Sequence, residues 1–217
     1  MKGAVKTAFI IAAVAAFALA PVGAGAQSRV DHSAPVSTRN IAPGAQARDT
    51  MNRYAECVVK MRAAAVRRAL AQPTYAAANS ALAKLAISDC LAGGDLIMEE
   101  VLFRGAVYRA LYLRDFGREA ALPVGGETLV EADDPVFIFG DCVSRLDPEQ
   151  TRAFVVARPA TVEESDAVAK LGPSFGRCLA PGDQVRFSKT VLQGALAEAL
   201  YKRTSATSTS SELAEVK

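Results

Sequence analysis

Histidine is nearly absent from the sequence, in which His32 is the only one. Nucleophilic catalysis by serine or cysteine needs an imidazole held rigidly against the nucleophile. His32 lies in residues 27–48, a segment with several Pro, Ser and Thr residues and no apolar period, which we expect to be flexible. The sequence also has no Gly-x-Ser-x-Gly, no glycine-rich phosphate loop, no dinucleotide-binding fingerprint and no His-Glu-x-x-His. We therefore expect no catalytic residue and no cofactor.

The four cysteines lack the spacing of a metal or redox site. No Cys-x-x-Cys occurs, the cysteines lie far apart, and no histidine accompanies them. Structural zinc sites draw on closely spaced Cys and His ligands, and thioredoxin-type chemistry uses a Cys-x-x-Cys. The sequence therefore predicts no metal site.

The N-terminus has the layout of a secretory signal. Lys2 and Lys6 precede an apolar stretch over residues 7–20, and small residues at 24–26 form a signal-peptidase site. The alternative is an uncleaved anchor, but the stretch is shorter than the about 20 residues that a bilayer requires. We expect residues 1–26 to be a signal peptide, and the protein to be periplasmic or secreted with no integral membrane span.

The charge of the chain argues against nucleic-acid binding. The chain has 25 basic and 23 acidic residues, and two of the basic residues, with none of the acids, belong to the predicted signal. The exported part is therefore formally neutral. Nucleic-acid-binding domains usually carry a net basic surface, so we expect no nucleic-acid partner.

The exported part contains one pattern twice. Three motifs recur in the same order: aromatic-x-x-Cys-Val, Cys-Leu-Ala-x-Gly-Asp, and Gly-Ala-x-x-x-Ala-Leu-Tyr. They occupy residues 54–58, 90–95 and 105–112, and again 139–143, 178–183 and 194–201. An internal repeat of this kind indicates a duplicated structural unit.

The repeat and the composition divide the chain into six parts. Prolines, glycines and an acidic run separate the two copies, and the C-terminus is rich in Ser and Thr. The expected parts are a signal peptide (1–26), a flexible leader (27–48), a first helical module (49–116), a linker (117–134), a second helical module (135–203) and a disordered tail (204–217).

Both copies have helical periodicity. Met51, Tyr54 and Val58 recur at intervals of three and four residues, which is typical of one face of a helix. Asp147 before a proline, and Thr161 three residues before Glu164, are typical helix starts. The predicted fold is therefore all-α, with two tandem pseudo-equivalent helical modules.

A glycine interrupts the last helix of each copy at Gly105 and Gly194. Glycine inside a helix costs about 1 kcal/mol relative to alanine, so its presence in both copies suggests that another backbone passes close by. The two glycine faces meet each other, or each packs against a helix of its own copy.

The repeat also predicts how the cysteines pair. Four cysteines in an exported chain of this size most often form disulfides, and three pairings are possible. A module that folds by itself closes its own ring, which favours Cys57 with Cys90 and Cys142 with Cys178 over the swapped pairings. Rings of this size stabilise a fold by about 3–4 kcal/mol each. Each module is therefore expected to be closed by one disulfide.

A basic stripe is the candidate binding surface. Arg53, Lys60 and Arg67 are spaced by seven residues, and Arg145 and Arg152 take the places of the last two in the second copy. Such stripes suit an anionic polymer, lipid headgroups or an acidic protein. The alternative is a solvated helix face whose basic side chains cover apolar surface with their stems.

Paired carboxylates are the remaining route to catalysis. Asp95 and Asp183 occur at the same place in both copies, and two acids can cleave a glycosidic bond without histidine. A Gly-Asp step ahead of a helix is also typical of a turn or a cap. Glu99 and Glu100 have no acidic counterparts in the second copy and suit a first helical turn.

With its three duplicated motifs, residues 49–203 resemble exported proteins of alphaproteobacterial type to which no activity is assigned. The resemblance implies no catalytic or binding residue. The leading hypothesis is a non-enzymatic binding or interaction module of the bacterial cell envelope, with a protein or an anionic polymer as its unidentified partner. The alternative is a small histidine-independent hydrolase that uses paired carboxylates.

Overall fold

A computed structural model of the chain describes residues 43–91, 96–123, 128–129, 134–180, 182 and 185–215. The predicted signal peptide, most of the predicted leader and parts of the predicted linker lie outside the described residues. The described residues form seven α-helices and a short 3-10 helix at Ser88–Cys90. The helices are α1 (Pro43–Leu70), α2 (Tyr75–Ala83), α3 (Glu100–Asp115), α4 (Pro135–Leu146), α5 (Pro148–Val156), α6 (Val162–Arg177) and α7 (Lys189–Glu215). The prediction of an all-α fold is confirmed.

Each half has a helix break shortly after its first cysteine. In α1 the backbone of Arg62 is non-helical, with φ −134° and ψ 34°. In the second half Asp147 separates α4 from α5, with φ −145° and ψ 71°. Both breaks fall at the same distance along the chain from the preceding cysteine, Cys57 or Cys142. The sequence motifs gave no sign of a break in α1, which has no proline or glycine near Arg62.

The predicted helix starts in the second half are confirmed. The Asp147 carboxylate accepts a hydrogen bond from the Gln150 N–H at 3.2 Å. The Thr161 hydroxyl accepts from the Glu164 N–H at 3.3 Å, which is one half of the predicted capping box. The Glu164 carboxylate accepts from the Ala160 N–H at 3.0 Å. It thereby holds a residue whose φ of 60° is unusual for any side chain larger than glycine.

Helix α1 begins earlier than expected. We predicted a flexible leader through residue 48, and the helix starts at Pro43. Proline suits the first helical turn, where its missing N–H is not needed. Ala45 is buried, and the buried guanidinium of Arg48 pairs with Glu164 of α6. These tertiary contacts hold a segment whose composition by itself suggests a flexible leader.

The predicted disordered tail is helical at its start. Helix α7 continues past residue 203 to Glu215, and Arg203 and Thr204 are buried. The hydroxyl of Thr204 donates to the Leu200 carbonyl at 2.8 Å, and Ser208 donates to the Thr204 carbonyl at 2.9 Å. Ser and Thr therefore bond back to carbonyls one turn earlier, which lets a polar segment continue the helix.

Both predicted disulfides are present. Cys57 of α1 bonds to Cys90 of the 3-10 helix, and Cys142 of α4 bonds to Cys178 at the end of α6. Each bond closes a ring within its own half of the sequence. All four cysteines of the chain are thus paired.

The apolar core has two clusters. The first is built from α1, α2 and α3, and its largest members include Tyr54, Phe103 and Leu111. The second is built from α4 to α7, and Tyr108 and Tyr112 of α3 also belong to it. Helix α3 therefore contributes side chains to both clusters.

Helices α3 and α7 cross at their glycines. A Cβ atom added to Gly105 would lie 2.5 Å from the Cα of Gly194, and one added to Gly194 would lie 3.0 Å from the Cα of Gly105. Contacts below 3.0 Å are forbidden to real Cβ atoms, so a side chain at Gly105 would push the two backbones apart. Of the two alternatives left open by the sequence, the first is correct: the glycine faces meet each other.

Candidate functional site

A groove lies beside the N-terminal turns of α1 and α3. Its volume is about 660 Å³. Its apolar lining comes from α1, from the segment that precedes α3 and from α3 itself, and consists of Met51, Leu96, Ile97, Met98 and Leu102. We call this surface the methionine groove. Methionine adapts its shape to irregular partners and is common at surfaces that bind apolar segments.

Ile97 is the most exposed large apolar residue described, with a relative exposure of 95% for the whole residue. Leu96 and Met98 on either side of it are half-buried. Leu96 and Ile97 also line a second depression of about 480 Å³, between Tyr54 and the 3-10 helix. The Leu96–Ile97 pair therefore borders two neighbouring depressions.

The open charges at the methionine groove are acidic. Glu99 and Glu100 line it and are exposed, and Glu100 lies in the first turn of α3 as expected. Arg48 also lines the groove, but its guanidinium is bound by Glu164 and is buried. The groove therefore combines apolar side chains with a negative rim.

The predicted basic stripe is partly occupied by internal contacts in the first half. Arg53 and Lys60 are exposed, and Arg53 pairs with Asp49 at 3.2 Å. Arg67 makes two hydrogen bonds to the Asp115 carboxylate, at 2.7 and 2.8 Å. The hydrogen bonds that Arg67 donates to Asp115 raise the pKa of its guanidinium, and a side-chain hydrogen bond with Tyr201 raises it further. The non-helical backbone between Lys60 and Arg67 also interrupts the register on which the seven-residue spacing relied.

The stripe residues of the second half lie on different helices. Arg145 is on α4 and Arg152 is on α5, and both are half-buried. Arg152 donates to the Ala120 carbonyl at 2.9 Å. Three of the five stripe residues, Arg53, Arg67 and Arg152, thus have partners within the chain. Binding of an anionic partner by the stripe stays a prediction.

Four arginine–carboxylate pairs lie wholly or partly inside the protein. The pairs are Arg48 with Glu164, Arg104 with Glu198, Arg109 with Glu56, and Arg203 with Asp141. Glu56 and Asp141 each precede the first cysteine of their half, and each pairs with an arginine on the last helix of that half. Two further pairs join the halves: α1 to α6 and α3 to α7.

The interior glutamates are held in their ionised form. Burial by itself raises the pKa of Glu164, but hydrogen bonds from Arg48 and from the Ala160 N–H outweigh burial, and the pKa is lowered. The pKa of Glu198 is lowered in the same way, since Arg104 and then Lys202 outweigh its burial. A carboxyl group with a lowered pKa does not serve as a general acid near neutral pH. Both glutamates are thus ionised partners of buried arginines.

Asp95 and Asp183 are the acids proposed for a hydrolase. Both lie outside the described residues. Glu99 is at the N-cap position of α3 and Glu100 is in its first turn, where a negative charge is favoured by the helix dipole. A carboxylate-dependent hydrolase stays a prediction.

Two further features bear on the class of protein. Among the helices of the described residues, none is both long and apolar enough to cross a bilayer. Nowhere in the same residues do three or more His, Cys, Asp or Glu side chains come together as they would around a metal ion.

Comparisons of the chain with protein-family models, with curated proteins and with solved structures found no match.

The groove and the interior ion pairs were not predicted from the sequence. Arg104 and Glu198 were detectable in principle, because each interrupts an otherwise apolar stretch of α3 or α7. The methionine groove had no such signal, because Met51 and Met98 are distant in the chain and become neighbours only after folding.

Proposed function

We propose that this protein is a non-enzymatic binding module of the bacterial cell envelope and that the methionine groove is its binding site. The exposure of Ile97 is the observation that carries this proposal. An isoleucine that contacts water over nearly its whole surface loses about 1.5–3 kcal/mol relative to a buried one. A partner that covers Ile97 together with Leu96 and Met98 recovers this free energy.

The partner is a protein segment with apolar residues next to a lysine or arginine. Apolar anchors fit the Met51–Met98 lining, and a cation fits Glu99 and Glu100 at the rim. An anionic polymer is the weaker candidate, because the open charges at the groove are negative and Arg67 of the basic stripe is already paired.

An oxidising location outside the cytoplasm is consistent with two disulfides in a chain of this size. The signal-like residues 1–26 and the resemblance to exported alphaproteobacterial proteins support a periplasmic or secreted protein. The partner is therefore expected among envelope proteins.

The two halves are proposed to be pseudo-equivalent modules derived from one duplicated unit. Four features support this. Three of them are a ring closed by one disulfide in each half, a helix break at Arg62 or Asp147, and a glycine in the last helix of each half. The fourth is a threonine N-cap, Thr74 of α2 or Thr161 of α6. The groove is formed mainly by residues of the first half, so the two halves are proposed to differ in function.

Selection of peptides displayed on phage tests the groove directly. The unaltered protein is immobilised, and only phage that also bind an unrelated protein are removed. We expect enriched peptides that carry two apolar residues and a neighbouring Lys or Arg, and we expect their affinity to fall about tenfold or more in Ile97→Asp, which is a loss of about 1.4 kcal/mol.

Val162→Asp is the matched control, since Val162 is an exposed apolar residue at the start of α6 and does not line the groove. The control should bind the selected peptides like the unaltered protein. Enrichment of peptides that bind Ile97→Asp equally well, or no enrichment at all, contradicts the assignment of the groove.

A further inference from the structure

Three sulfur atoms lie together at the surface of the first half. The Sδ atom of Met61 is 3.9 Å from Sγ of Cys57 and 3.8 Å from Sγ of Cys90. Met61 is one helical turn after Cys57 in α1, and Cys90 is brought to it by the 3-10 helix. More than half of the Met61 side chain is exposed, and both cysteines are half-buried. Solutes can therefore reach the trio.

The spacing of these atoms suits a trigonal metal ion. An ion about 2.3 Å from each of three sulfurs, the usual metal–thiolate distance, holds them about 4 Å apart in a plane. Two of the three sulfur–sulfur separations already have this length. The third is the disulfide itself, which opens when it is reduced.

The second half lacks this arrangement. The residue that follows Cys142 at the position of Met61 is Leu146, which is also partly exposed. Met61 and Leu146 thus follow the first cysteine of their half at the same spacing, and only Met61 offers a sulfur atom. Leucine and methionine fill similar volumes, so exchanging them removes or adds the thioether with little change in packing.

We propose that the first half, when its disulfide is reduced, binds one Cu(I) ion through Cys57, Cys90 and Met61. A dithiol reductant donates two electrons and two protons, is itself oxidised to a disulfide, and leaves two thiols. Cu(I) then displaces the two thiol protons and forms a complex with two thiolates and one thioether, with a net charge of −1. Thiol–disulfide exchange with a second disulfide, which takes up the two electrons and two protons and becomes a dithiol, reforms the protein disulfide and releases Cu(I).

Ligand chemistry selects Cu(I) among the common metals. Thiolate and thioether sulfurs are soft ligands, which favour Cu(I) over ions that require oxygen or imidazole. Within the described residues, no group of three or more His, Cys, Asp or Glu side chains offers an alternative site. Met61 and Cys90 are 29 residues apart, so no local sequence motif contains all three sulfur-bearing residues.

Competition with a chromophoric Cu(I) chelator tests this site. The purified protein is reduced, freed of reductant without oxygen, and titrated with Cu(I) alone. We expect the first Cu(I) to bind about tenfold or more tightly in the unaltered protein than in Met61→Leu, which makes the first half resemble the second. X-ray absorption should show three sulfur neighbours in the unaltered protein and two in Met61→Leu. Leu146→Met should create a second tight site.

Circular dichroism recorded during the titration shows whether reduction of the disulfide unfolds the chain. If the reduced chain unfolds, Cu(I) should restore helical signal at lower concentration in the unaltered protein than in Met61→Leu. Equal affinity and equal sulfur coordination in the two proteins overturn the proposal. Equal refolding by Cu(I) in the two proteins overturns it as well.

Discussion

Replacing Gly105 by alanine perturbs the point at which α3 and α7 come closest. The new Cβ would lie 2.5 Å from the Cα of Gly194, where ordinary van der Waals contact requires 3.4–4 Å. The helices therefore have to move apart by about 1 Å, because the obstructing atom is backbone and cannot rotate away. This movement disturbs the core that α3 and α7 share through Tyr108 and Leu196.

Two opposing contributions set the size of the effect. Overpacking in a well-packed core costs about 1–3 kcal/mol, and separating two helices along their length belongs at the upper end. Alanine gains about 0.5–1 kcal/mol over glycine inside a helix. We expect Gly105→Ala to lower the free energy of unfolding by about 2 kcal/mol, which is about 4–8 °C in Tm for a domain of this size.

Urea unfolding followed by circular dichroism measures this change. Gly194→Ala should be less harmful, because its Cβ would lie 3.0 Å from the Cα of Gly105. Gly176→Ala in α6 is the control, since no atom lies within 4 Å of its Cβ and alanine should stabilise the helix by up to about 1 kcal/mol. If Gly105→Ala proves as stable as Gly176→Ala, the close docking of α3 on α7 is wrong.

Three further changes test the interior. Glu164→Gln leaves Arg48 buried without its counter-charge and should cost about 3 kcal/mol in urea unfolding. Glu163→Gln, at its exposed neighbour in the first turn of α6, should lower the midpoint far less. The pKa of Glu164 and of Glu198 is lower in the folded protein than the unfolded value of about 4.3. Their ionised forms therefore add to the free energy of unfolding at neutral pH, and this contribution is lost as the pH falls below that value. In Glu198→Gln, the free energy of unfolding should therefore fall less steeply as the pH is lowered. If the pH dependence is the same as in the unaltered protein, Glu198 is not its source. Replacing Cys142 and Cys178 together by serine should cost about 3–4 kcal/mol, and no loss of stability would contradict the ring-closure argument.

Much of the fold was predictable because local chemistry and the repeat agree. The caps at Asp147 and Thr161 depend on residues only a few positions apart, and such short-range hydrogen bonds are visible in the sequence. The disulfide pairing followed from the assumption that each copy closes its own ring. The contact of Gly105 with Gly194 was one of two alternatives, because glycine indicates a close approach without indicating which backbone approaches.

The ends of the helices and the candidate site depend on tertiary contacts. The composition of residues 43–48 suggested a flexible leader, but Arg48 finds a buried carboxylate on α6. The basic stripe was expected on one continuous helix face, and the break at Arg62 interrupts that face. A seven-residue spacing describes a surface only when the helix is continuous, so sequence periodicity could not locate the binding surface.

The central claim is that the surface around Ile97 binds a protein partner in the cell envelope. The most direct measurement places a photo-crosslinking amino acid at Ile97, or at Val162 as the exposed apolar control, in the protein made by living cells. We predict a discrete adduct at Ile97 whose partner peptide carries apolar residues beside a Lys or Arg, with no such adduct at Val162. The same adducts at both positions, or none at Ile97, would contradict the account.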